Sequence, residues 1–148
     1  MKNKDITQTP TITAGIYSAG DAVGGLLTFA NAVSVYKGDG KIVKIVVIDD
    51  AMQNANLILH LFDRTFTAMA DNAAWSPSDA DMQNSIGHVE IAVADYQAGV
   101  NNSHATVLVD MGFALVSGGT SLFGQLECVA TPTYVATDDL TIKATIER

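Results

Sequence analysis

Leu140-Thr141-Ile142-Lys143-Ala144-Thr145-Ile146-Glu147 puts Leu140, Ile142, Ala144 and Ile146 on one side of an extended chain, and Thr141, Lys143, Thr145 and Glu147 on the other. Successive side chains of a strand point to opposite faces, so this alternation predicts a strand with one dry face and one wet face. The same pattern recurs upstream. In 85–94, Val89, Ile91 and Val93 alternate with His88, Glu90 and Ala92, and in 104–110, Ala105, Val107 and Val109 alternate with His104, Thr106 and Asp110. Ala55, Leu57, Leu59 and Leu61 share a side in 55–62, as do Leu122, Leu126 and Cys128 in 121–129.

Segment 41–48, Lys-Ile-Val-Lys-Ile-Val-Val-Ile, is apolar on both faces, as a central strand would be. Gly38-Asp39-Gly40 ahead of it supplies the positive φ angles of a tight hairpin, predicting a partner strand near 32–36. Weaker strand patterns cover 11–17, 24–31 and 112–116. One interruption stands out: Trp75-Ser76-Pro77-Ser78-Asp79-Ala80-Asp81 places Ser before Pro and acids after it, predicting a short helix near 76–84. About eight short strands, few helices and regular turns predict an all-β fold, an antiparallel two-sheet sandwich of jelly-roll type.

Composition sets outer limits. The chain has 148 residues, 48% hydrophobic and 16% charged, with eight basic against sixteen acidic side chains and a formal net charge of −8. A single domain of this length buries roughly 70% of its extended surface, so a full core is expected without disulfides or metals. High hydrophobicity with low charge argues against disorder. An excess of acid argues against nucleic acid, whose phosphates need clustered Lys and Arg. The lone Cys128 has no internal disulfide partner. No membrane partner is expected, because no apolar run approaches the roughly eighteen residues a span needs. The N-terminal residues lack a leader-like apolar stretch, and synthesis in the cytoplasm is expected. Residues 1–8, with Lys2 and Lys4, are expected to be a flexible arm, and 9–148 a single sandwich domain.

The reactive residue types form no recognisable catalytic pattern. His88 and Glu90 share a strand face but point to the wet side, and no close His pair followed by Glu supplies a cupin-like metal site. Asp71, Asp79, Asp81 and Asn84 lack the glycine and terminal glutamate of an EF-hand loop, so helix capping and solvation account for them. Asp49-Asp50 and Asp138-Asp139 fall at strand boundaries, where acids are ordinary turn residues. Ser117-Gly118-Gly119-Thr120-Ser121 has no following Lys and reads as a hairpin turn rather than a phosphate cradle. Cys128, on a dry face, reads as a small hydrophobe. The expectation is therefore a non-enzymatic protein with no cofactor and no metal. Trp75 is either a core plug or an interface anchor.

Thr9-Pro10-Thr11 through Thr28-Phe29-Ala30-Asn31-Ala32, and within it Tyr17-Ser18-Ala19-Gly20-Asp21-Ala22-Val23-Gly24-Gly25-Leu26-Leu27-Thr28-Phe29, resembles small virion structural proteins of tailed bacteriophages. The stretch from Asp71 to Asp81, and Thr131-Pro132-Thr133-Tyr134 leading to Asp138-Asp139-Leu140-Thr141-Ile142, look similar to the same family. The resemblance runs from about residue 9 to 146. It implies a virion component on the outer capsid surface, of the decoration or cement type, with the major capsid protein as partner. A charge-poor, apolar chain also leads us to expect a homo-oligomer, with a trimer favoured. Candidate interface residues are Lys2, Lys4, Tyr17, Lys37, Lys41, Lys44 and Trp75. Two other readings remain: a tail, baseplate or head-fibre component, and, from another class, a carbohydrate-binding sandwich module. The bases gather at the N-terminal tail and around 37–44 and the acids elsewhere, so the molecule is expected to have two ends of different character.

Overall fold

A computed structural model describes residues 2–148; Met1, part of the expected arm, lies outside the described residues. Among these residues nine strands form two antiparallel sheets. They are β1 (Asn3–Gln8), β2 (Ala22–Phe29), β3 (Asp39–Asp49), β4 (Leu57–Phe62), β5 (Ser85–Ile91), β6 (Tyr96–Ala98), β7 (Ser103–Ala114), β8 (Leu122–Cys128) and β9 (Leu140–Glu147). The five-stranded sheet has the order β1-β9-β3-β7-β6 and the four-stranded sheet β2-β8-β4-β5. Apart from the β4–β5 pair and the short β6 added beside β7, each connection crosses from one sheet to the other. This is the winding of a jelly roll.

The dry faces read from the sequence meet between the sheets. Ile42, Ile45, Val47, Ala105, Ile142, Ala144 and Ile146 from one sheet pack on Leu57, Leu59, Leu61, Val89, Ile91, Leu122, Leu126 and Cys128 from the other. β3 is central, between β9 and β7, as its two-faced apolar run requires. Its register shifts between Ile42 and Lys44 against both neighbours, which brings Ile42 and Ile45 to the same buried side. A bulge of this kind moves side chains across a sheet face, and simple alternation cannot represent it.

Several expectations are corrected. Residues 3–8 are not a flexible arm but edge strand β1, paired with β9 from Asn3↔Glu147 to Gln8↔Ile142. Only Ile6 of this strand is buried, and its polar composition hides the ladder it makes. Segment 32–36 is a loop crossing from β2 to β3 rather than a hairpin strand, so Gly38 closes a turn and β3 begins at Asp39. Segment 11–17 is also a loop, with a single bridge, Ile16↔Thr133. The two strands expected at 104–110 and 112–116 are one, β7. Strand β5 stops at Ile91 because the Asp95 carboxylate accepts from the Ala92 amide and closes a turn over Val93–Asp95, leaving Val93 exposed.

The short helix α1 (Asp79–Met82) is present, with Ser78 as its cap: the Ser78 hydroxyl accepts from the Asp81 amide at 3.1 Å. Pro77 therefore precedes the cap rather than opening the helix. No helix among the described residues is long and apolar enough to cross a membrane.

Candidate functional site

Three places gather the side chains singled out above: the outer face of the four-stranded sheet and the two poles of the sandwich. The outer face is covered by segment 63–84. Phe62, fully buried though it points away from the main core, stacks on Phe66 with centroids 3.9 Å apart. Trp75 stacks on His60 at 4.3 Å and meets Phe66 edge-on at 6.3 Å. Trp75, half-buried, thus keeps part of its ring accessible and packs on one side against a second, smaller cluster. Gln125 lies at its centre with no exposed surface, accepting from the Met69 amide at 2.9 Å and donating to the Gly24 and Met69 carbonyls. All its polar groups are engaged, as burial demands.

Asp71 ties this cover to the rest of the molecule. Its carboxylate accepts from the Tyr17 hydroxyl, the Gly24 amide and the Thr13 hydroxyl, each at 2.6 Å. Gly24 holds φ +74°, and a Cβ there would come within 2.6 Å of Pro10, so only glycine presents its amide in this way. Tyr17, expected at an interface, is 0% exposed and edge-on to Tyr134; burial raises its hydroxyl pKa well above the ordinary tyrosine value. It is a core residue, and its interface role is withdrawn.

The histidines separate. His60 and His88 face each other across β4 and β5, with rings 6.3 Å apart, and the His60 Nε2 lies 2.7 Å from the Glu127 carboxylate. His88 and Glu90 are exposed with a 3.7 Å separation, as their wet-face position implied, and His104 lies on the other sheet. Among the described residues no group of three or more His, Cys, Asp or Glu is placed to hold a metal ion. Cys128 is buried, and burial raises its thiol pKa above the ordinary cysteine value.

At one pole, where β3 and β8 end and β4, β7 and β9 begin, four loops meet: 9–21, 50–56, 92–102 and 129–139. Together they hold Asp21, Asp50, Asp95, Asp138 and Asp139, and no Lys, Arg or His. Asp49 abuts them. It is buried, and accepts from the Ala51 and Asn54 amides. The same loops expose five aliphatic side chains, Ile16, Val93, Val100, Val129 and Val135, with Val100 94% accessible.

The opposite pole carries the cations. The carbonyl of Asn31, a residue at φ +53°, accepts from Lys4 Nζ at 3.0 Å and from an Arg148 guanidinium nitrogen at 3.2 Å. Lys2, Ser34, Lys37 and Arg148 line an open hollow of about 310 Å³ there, next to one of about 260 Å³ that adds Asp39, Gly40, Lys41 and Glu147. Lys41 is ion-paired with Asp110, and Tyr36 is 99% exposed. The structure thus brings Lys2, Lys4, Lys37 and Lys41 together and leaves Lys44 apart, on the outer face of the five-stranded sheet opposite Leu108 and Thr145. Arg148 completes the cluster. Its last-strand position pairs it with Lys2 across the edge ladder, a contact invisible while residues 1–8 read as an arm. No protein-family model matches the chain, and no curated protein matches it.

Proposed function

We propose that this protein is a structural component of a tailed-bacteriophage virion, a decoration or cement protein on the outer capsid surface that assembles with copies of itself and bridges neighbouring major capsid proteins. It acts by binding, without catalysis. The sequence resemblance over about 9–146 supports the virion setting. The observation that carries the self-assembly role is the two-ended surface: an acidic loop cluster at one pole and a cationic hollow at the other, each with exposed apolar side chains. A subunit of a larger assembly must hold two neighbours at once, and exposed aliphatic patches rimmed by charge are what contact surfaces look like before they are covered.

The test is fractionation of particles made from the genome that encodes the chain. The protein is expected in isolated heads at a fixed ratio to the major capsid protein, and mild removal is expected to lower the temperature at which heads release their contents. Recovery with tails alone would favour the tail reading, and absence from purified particles would remove the virion reading altogether.

A further inference from the structure

The two poles are complementary to each other, and the geometry points to their contact: the acidic, aliphatic pole of one copy docks on the cationic pole of the next. This deepens the self-assembly part of the proposed function and rests on it, while standing apart from capsid attachment. The argument starts from the distribution of charge. The four loops of the acidic pole contain five aspartates and no cation; Asp139 is buried and accepts from the Val135 and Ala136 amides, whereas Asp50 and Asp138 are exposed with no cation beside them in these loops. Around the hollow at the other pole Lys2, Lys4, Lys37 and Arg148 outnumber Asp39 and Glu147, while Lys41 with Asp110 and Arg64 with Asp63 pair among themselves, and the shared Asn31 carbonyl holds Lys4 and Arg148 side by side. Each surface lacks what the other supplies.

The apolar groups match as well. Ile16, Val93, Val100, Val129 and Val135 at one end have Val35 and Tyr36 at the other as counterparts of the same kind. Charge complementarity then sets register and speeds encounter, and the aliphatic contacts supply the area. A contact between two different patches is heterologous. Because the two patches lie at opposite ends of one copy, the contact adds copies end to end; a closed trimer needs patches inclined to each other instead.

Sedimentation velocity on the full chain over a range of protein concentrations tests this. The wild type is expected to self-associate at about 0.01 M salt, where the Debye length is about 30 Å, and to do so about tenfold more weakly near 1 M, where it is about 3 Å. Lys37→Glu with Arg148→Glu is expected to abolish association, as is Asp50→Lys with Asp138→Lys. Mixing the two variants is expected to restore one contact and give a 1:1 complex, because each retains one native pole. Lys37, Asp50 and Asp138 are exposed and Arg148 is half-buried, and circular dichroism melts of the variants show whether the fold is kept. Association that ignores salt and both reversals would overturn the pole contact while leaving self-assembly intact. A monomer at every concentration and salt would remove both.

Discussion

The two sheets are built by the same alternation, yet their outer faces have opposite fates. On the four-stranded sheet, Phe62, His60 and Gln125 point away from the main core and are covered by segment 63–84, so this part of the sheet is packed on both sides while His88 and Glu90 on edge strand β5 stay exposed. On the five-stranded sheet the outward side chains include Thr106, Leu108, Lys44, Thr141 and Lys143, and among the described residues no segment like 63–84 lies over them, Thr9 alone reaching Thr141; Leu108 is 82% exposed. The contrast shows that a wet face in a strand pattern is a statement about the strand alone. Whether water reaches it depends on a distant segment held by a few polar anchors.

The largest effect is expected where the cover is driest. Phe62→Ala removes a fully buried ring stacked on Phe66 and should cost about 3–5 kcal/mol in urea-induced unfolding. A loss below about 1 kcal/mol would mean that segment 63–84 unfolds separately from the sandwich, and the four-stranded sheet would then be one-sided like its partner. Second comes the anchor. Asp71→Ala strips three hydrogen bonds from a carboxylate and leaves the buried Tyr17 hydroxyl and Gly24 amide short of an acceptor. Hydrogen bonds to charged groups contribute about 1.5–3 kcal/mol each, and removing the carboxylate also removes the cost of desolvating it, so a net cost of about 2–3 kcal/mol is expected, with faster hydrogen exchange confined to 63–84 and the residues it covers. Uniform exchange across both sheets would show that Asp71 supports the core at large rather than the cover.

Much of this was legible in the sequence, and what was missed has a common cause. The alternation around Val89, Val107, Leu126 and Ile142 identified strands and their dry faces because burial between two sheets acts on every second residue. The edge strand β1 went unseen because its stability comes from backbone pairing to β9, which leaves no mark on residues such as Asn3, Lys4 and Thr7. The same holds for Gln125: an outward polar residue on a strand reads as solvated, and only the arrival of Met69 buries it. Cross-strand neighbours were equally hidden. His60 and His88 lie 28 positions apart in sequence and face each other only through the β4–β5 register. The separation of charge into two poles was partly visible, but Arg148 joined the cations only once the chain ends proved to be paired.

A smaller effect probes the inner faces, where both sheets should be equally dry. Asp49, at the end of β3, is buried, and burial raises its pKa above the ordinary carboxylate value, although the Ala51 and Asn54 amides offset part of the rise. The native state therefore holds its proton more tightly than the unfolded chain does. Stability from this group is fully present below the ordinary carboxylate pKa and is lost as pH rises through the raised value. Asp49→Asn has no proton to lose, so its stability profile should be flatter than that of the wild type across that acid window, whatever constant offset the lost acceptor brings. Identical slopes in urea titrations at successive pH values would show that water reaches Asp49 and that this end of the five-stranded sheet is open on both faces.

The smallest effect belongs to the bare face, and it tests the contrast most directly. Leu108→Ser alters a side chain that touches little, and surface substitutions of this kind usually fall within about 0.5 kcal/mol. Unfolding of dilute protein should show that small change and no more. Repeated at high protein concentration, the measurement separates two origins of coverage. A cost that stays small means the five-stranded sheet remains one-sided in every assembly the chain makes with itself. A cost that grows with concentration means a second copy covers Leu108, as segment 63–84 covers Phe62. The difference between the sheets would then lie in which molecule supplies the cover.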